Sequence, residues 1–305
     1  MKQSIRRLVA AVTFGCLSGF VLAGPVILGG DDLTDHGFRS GGATIAGQNN
    51  LGWLYIEKAV SNVLGSQTRA GTLTHDIVAL GSADSTVLSG GNAGAAIHFA
   101  ALELSKSVLY LDGAAAINQF FVDLVAGIVN PGMLWFSDTG AANNLDSAEG
   151  AALTANAAAI NTFGSSGGGI MAHGSGADAY GWLSALLPGL TEVGSCNSTG
   201  ATLTAAGQAA FPGLSNSDVD ANAGPCHTSF TGNFGGLTTL AFDGSQRSYI
   251  IGGGANTVIQ CGQPGQPPCS SNLVLEPGSL PLALLAAIGL LVQLRRRSGA
   301  GKSGR

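Results

Sequence analysis

The chain has 305 residues, enough for one large domain or two small ones, with 45% hydrophobic residues, only 10% charged residues and 48 glycines. Eight of the 13 basic residues lie in the two ends, so residues 24–275 keep five bases (Arg39, Lys58, Arg69, Lys106 and Arg247) against 17 acids, a formal −12. That balance repels phosphate backbones and excludes nucleic acid as an expected partner, while suiting solubility outside the cell or the binding of cations.

Residues 1–23 have the order of a secretion signal. Lys2, Arg6 and Arg7 form a positive start, residues 8–22 an apolar run, and Val21-Leu22-Ala23 the small or apolar positions before a cleavage point at Gly24. The expected partners of this segment are the Sec machinery and signal peptidase; an uncleaved anchor is the alternative. No Leu-x-Gly-Cys sequence precedes a mature cysteine, which argues against a lipoprotein.

The body then alternates short apolar runs with longer periodic ones. A strand is predicted over 26–28, ended by Gly29-Gly30, then a helix over 51–64 with apolar residues at 54, 56, 59, 60, 63 and 64. A strand over 77–80, a helix over 93–104, a strand over 108–111 and a helix over 114–125 follow. Next come a strand over 133–136, a helix over 147–163, a strand over 170–172 and a short helix over 180–187 closed by Pro188-Gly189. Ser147 with Gly150 does not make a capping box. Strands of about four residues between helices of 10–16 imply an α/β body over 24–252, with a mainly parallel sheet and helices on both faces. Residues 194–235, rich in Gly, Ser, Asn and Ala, read as a long excursion. Residues 237–242 and 249–251, around Asp243-Gly244-Ser245, read as a hairpin or late edge strands, and 253–275 as a linker.

The stretch from Leu153 to Leu190 holds a helix, the turn Phe163-Gly164-Ser165-Ser166-Gly167-Gly168-Gly169, then Ile170-Met171-Ala172-His173-Gly174, Tyr180, Trp182 and Leu186-Leu187-Pro188-Gly189. Over about 40 residues this resembles the class I glutamine amidotransferase-like superfamily, and most of all its ThuA-type branch. The resemblance implies a flavodoxin-like three-layer sandwich and relatives tied to sugar metabolism. This chain departs from the amidotransferases at the strand–helix elbow, where His173 stands in place of the nucleophilic cysteine. Glutaminase chemistry needs that thiolate, so the expectation leans away from an enzyme of that kind. Ser175 lies in His-Gly-Ser-Gly rather than G-x-S-x-G, so a serine hydrolase is not expected.

In parallel sheets ligands bind beyond the carboxyl ends of the strands. Those ends carry Asp31, Asp32, Asp35 and His36 after the first strand, Asp84 after the second, Asp112 after the third, Asp138 after the fourth and His173 after the fifth. Asp31, Asp32, His36, Asp112, Asp138 and His173 are the candidate ligand-binding set, with His173 the candidate catalytic residue. Gathered carboxylates repel unless a cation or polar ligand neutralises them. Oxygen ligands favour calcium or magnesium, and His36 or His173 would admit zinc or manganese. No cofactor is demanded, and a divalent cation is the one the set allows. Helix capping and turn formation are the plain alternative for these aspartates. His98 reads as structural and His75 carries no signal. His227, beside Cys226, reaches this rim only if the excursion folds back. Trp53, Trp135 and Trp182 read as core rather than as a carbohydrate platform.

Cys16 leaves with the signal, and the four remaining cysteines allow three pairings in an oxidising compartment. Cys196–Cys226 and Cys261–Cys269 are favoured by proximity. Without a CxxC pair or nearby histidine cluster, a metal site at these cysteines is the lesser alternative. The chain closes with Glu276-Pro277-Gly278-Ser279, an apolar run over 280–294 and Arg295-Arg296-Arg297. Fifteen residues at about 1.5 Å each make a short membrane helix, with the arginines on its cytoplasmic side. This order over residues 276–305 resembles the PEP-CTERM sorting signal, although Val274-Leu275-Glu276-Pro277 stands where Val-Pro-Glu-Pro is usual. The resemblance implies processing by an exosortase, transient anchoring in the inner membrane, then delivery to the cell surface or extracellular matrix with exopolysaccharide as a candidate partner. Two functions follow as expectations: a non-catalytic ligand- or glycan-binding envelope protein, and, as the alternative, a secreted metal-assisted or acid/base hydrolase of sugars or related small molecules.

Overall fold

In chain order the elements are β1 (Val26–Gly29), β2 (Gly37–Ser40), β3 (Gln48–Leu51), α1 (Gly52–Ser66), β4 (His75–Leu80), α2 (Ala93–Leu104), β5 (Val108–Leu111), α3 (Ala114–Val125), β6 (Pro131–Phe136), α4 (Ser147–Ala155) and α5 (Ala157–Ser165). They continue with β7 (Gly169–Ala172), α6 (Gly176–Tyr180), α7 (Leu183–Leu186), β8 (Leu190–Val193), β9 (Thr202–Leu203), α8 (Ala205–Ala210), α9 (Asn216–Val219), β10 (Ser229–Gly232), β11 (Thr238–Phe242) and β12 (Ser248–Gly253). This computed structural model describes residues 24–139, 144–221 and 224–253, all in the first of two compact units, Met1–Gln260 and Cys261–Arg305. The residues read as a secretion signal (1–23), those read as a linker beyond 253, the expected Cys261–Cys269 pairing and the tail read as a sorting signal (276–305) lie outside the described residues. Among the described residues no helix is long and apolar enough to cross a membrane.

The five expected strands lie side by side and parallel, in the order β5-β4-β6-β7-β1. Along the chain that is third, second, fourth, fifth, first, which differs from the second-first-third-fourth-fifth order of flavodoxin. The sheet continues antiparallel from β1 through β12 and β10 to β8, with β11 on β12 and β9 on β11. The fold is therefore α/β with a mixed, mainly parallel main sheet.

Of the parallel strands, β1, β6, β7 and the apolar part of β4 are buried on both faces, while the outermost, β5, is half-buried throughout; the period of two assigns their side chains to two separate cores. Ile77, Ala79, Met133 and Trp135 pack with α1 and α2; Val78, Leu80, Leu134 and Phe136 pack with α3, α4 and α5. The helices leaving β4 and β6 thus cover opposite faces. So do α1, which follows β1, and α6, which follows β7. Clefts at the carboxyl ends of a sheet form at such reversals.

Several expectations need correction. The expected hairpin is present, as the antiparallel pair β11–β12, but β12 is interior rather than an edge: Tyr249, Ile250 and Ile251 are fully buried between neighbours on both sides. The excursion over 194–235 contains β9, α8, α9 and β10. The helix over 147–163 is two helices meeting at Asn156, whose side chain donates to the Ala152 carbonyl and to Asn118 Oδ1. The helix over 180–187 is likewise two short ones, α6 and α7. A capping box is present after all, between Asp146 and Glu149, one residue earlier than the pair read from the sequence.

Candidate functional site

The turn after β1 delivers most of the site. The Asp35 amide donates to the Asp32 carbonyl, and the Leu33 amide donates to Asp31 Oδ1, so a tight turn holds four polar residues at the strand end. Gly29 is needed beneath it, because a Cβ there would overlap the Asp31 carboxylate. Tyr180, from α6, donates to the carbonyls of Gly29 and Ala172, tying the ends of β1 and β7 together.

Asp31 and His173 form a buried pair. Both are fully buried, with Asp31 Oδ1 2.7 Å from His173 Nδ1. The Gly174 amide donates to the Asp31 carbonyl. The imidazole meets the edges of Tyr55 and Trp135, at ring separations of 6.2 and 5.8 Å. Asp31 Oδ2, His173 Nε2, the Tyr55 hydroxyl and Trp135 Nε1 are all buried with no hydrogen-bond partner among the described residues. Groups of that kind are rare in folded proteins and point to a polar guest.

Asp32 faces outward. His227 Nε2 sits 2.7 Å from its Oδ2 and His36 Nε2 3.2 Å from its Oδ1. Burial works against ionisation of Asp32, but the hydrogen bonds from His227 and His36 outweigh it and hold the carboxyl below its ordinary value. The same bonds, against burial, raise both histidines above theirs. Asp138 ends β6, and its Oδ1 accepts from the Thr139 amide at 2.5 Å. It is 2% exposed, and burial followed by the charge of Asp32 pushes its carboxyl up to about 9. Burial and then Asp32 also raise Asp35. One carboxylate oxygen from each of Asp32, Asp35 and Asp138 lies within 4.8 Å of the others, a donor set able to hold a metal ion. Gly174, at φ 102°, fits against this set: a Cβ there would come 2.7 Å from Asp138 Oδ1.

His227 reaches the rim on a strap. The His227 amide donates to the Gly30 carbonyl and the Asp32 amide to that of Pro225, while Cys226 pairs with Asp31 as an isolated bridge. The strap is tied by the Cys196–Cys226 disulfide, with Cα atoms 5.9 Å apart, which is one of the two favoured pairings.

Of the candidate ligand set, Asp31, Asp32, His36, Asp138 and His173 come together. Asp112 does not: it is exposed at the end of β5, the outermost parallel strand, where its charge acts on Glu149. Asp84 also stays apart, 2.8 Å from His98. Asp35 joins the cluster, and so does His227, whose only sequence signal was its place beside a cysteine. Nothing in the sequence singles out Tyr55. The molecule also has an apolar groove of about 450 Å³, lined by Leu124, Val125, Ala159 and Phe163 among others. It also includes Arg69 and Ser166, which precede β4 and β7, so it lies toward the opposite ends of the strands. Comparison of the chain with protein-family models, with curated proteins and with solved structures gave no match.

Proposed function

We propose that the chain is an exported envelope protein whose α/β body binds a polar, oxygen-rich ligand at the carboxyl rim of the parallel strands, with a glycan of the surface matrix as the ligand class. The observation that carries this reading is the convergence of Asp31, Asp32, Asp35, Asp138 and His173 from three separate strand ends, with buried polar atoms left unpartnered. Export and sorting rest on the sequence: the signal-like residues 1–23, and a tail resembling PEP-CTERM signals, read by an exosortase. The ThuA-type, flavodoxin-like kinship rests on residues 153–190 and on the layering of helices over both sheet faces. It does not extend to the strand order. The described cysteines, Cys196 and Cys226, are joined to each other, so neither supplies a thiolate.

A second reading, an acid/base hydrolase of sugars, is favoured by one feature: Asp138, held as the neutral acid, lies beside the Asp31–His173 pair. A panel of matrix-type glycans, offered to secreted protein and to Asp138→Asn, separates these readings. Retention of one glycan class by the wild type, intact and lost in the variant, is expected. Cleaved glycan would favour the hydrolase, and binding unaffected by the variant would remove the rim from the account. Sequencing of the secreted chain is expected to start at Gly24; an intact Met1 would remove the export proposal.

A further inference from the structure

We infer that Asp32, Asp35 and Asp138 together bind one calcium-sized divalent cation. This deepens the rim reading and rests on it. Three observations lead there. The carboxylates come from two separate strand ends, yet an oxygen of each lies within 4.8 Å of the others, close enough for one ion to draw all three in to about 2.3–2.6 Å from oxygen. Asp138 is 2% exposed, and its Oδ2 has no hydrogen-bond partner among the described residues, although Oδ1 takes the Thr139 amide. An acid serving only as a turn or cap residue would have both oxygens in water or on amides. Asp32 and Asp35 are partly accessible, so the cluster is open to solvent on their side and closed on that of Asp138.

The donor chemistry selects the ion. His36 Nε2 and His227 Nε2 are both directed at Asp32, which leaves the three carboxylates as the donor set. Carboxylate oxygens favour calcium, magnesium and manganese, whereas zinc favours sites with nitrogen or sulfur. Three clustered carboxylates also repel one another. A double positive charge removes that repulsion. Bound there, the ion would hold open coordination positions toward solvent, which sugar hydroxyls can fill.

Titration calorimetry on the secreted protein with calcium chloride, after chelator treatment, tests this. One ion per chain is expected, with zinc at least tenfold weaker. Asp138→Asn and Asp35→Asn should each weaken calcium at least tenfold, and Asp112→Asn should leave it unchanged. Asp138→Asn keeps the shape of the neutral acid, and Asp35→Asn supplies a second variant should that one fail to fold. No calcium heat in the wild type, or equal affinity in both cluster variants, would overturn the proposal. Glycan retention in chelator separates the two claims: retention without calcium binding leaves the rim reading standing and removes the cation. Calcium binding with no glycan retained does the reverse.

Discussion

Asp138 is where the physics of the site is most concentrated. Its carboxyl is raised to about 9, by burial first and then by Asp32, whereas in an unfolded chain it titrates near 4. Between those values the folded chain holds a proton that the unfolded chain has released, so the group's contribution to stability falls as pH rises from about 4 to about 9. Asp32 acts in the opposite sense: its lowered value adds stability above the ordinary carboxylate range, lost as pH falls. His36 and His227, both raised, stabilise below about 6.5, and that contribution is lost as pH climbs through their folded values. Asp138→Asn removes one of these terms and leaves the others. In chelator, its unfolding midpoint should decline less between pH 5 and pH 9 than that of the wild type. Parallel declines would contradict the burial assigned to Asp138. The sequence placed Asp138 at a strand end but could not show that Asp32 and Asp35, over a hundred residues earlier, would be its neighbours.

At the level of elements, the parallel half was legible because its signals are local. Apolar runs of four to six residues bounded by glycine or polar turns mark buried strands, and β5, α2 and α3 begin and end where periodicity put them. The β2–β3 hairpin was not legible. Gln48, Asn49 and Asn50 give β3 no apolar alternation. The hairpin is held instead by buried Arg39, which donates to Asn49 Oδ1, to the carbonyls of Gly42 and Thr44, and to Glu103 Oε1. The strap from Pro225 to Thr228 has the same character, since its placement depends on a disulfide and on amides of a distant turn. Closing a loop of 30 residues contributes about 3–4 kcal/mol in the chain-entropy account. Replacing Cys196 and Cys226 together by Ser is expected to cost about 2–4 kcal/mol in a denaturant titration and to weaken ligand retention at the rim. Full retention in a destabilised variant would show that the strap, with His227, has no part in the site.

For the whole molecule, the order β5-β4-β6-β7-β1 is what turns scattered aspartates into a cluster. It sets β6, β7 and β1 next to one another, so Asp138, His173 and Asp31 end adjacent strands, while β5 carries Asp112 to the far edge. The candidate residues come together where their strands are neighbours and stay apart where they are not, and neighbour order is a property of the assembled sheet rather than of any local pattern. The antiparallel extension through β12, β10 and β8 was likewise beyond local reading, because β12 pairs with β1 across most of the chain.

The most direct test is a crystal grown with manganese and measured at its absorption edge. One anomalous peak is expected, in contact with a carboxylate oxygen from each of Asp32, Asp35 and Asp138. Those three carboxylates lying apart, or manganese bound only elsewhere, would contradict the account.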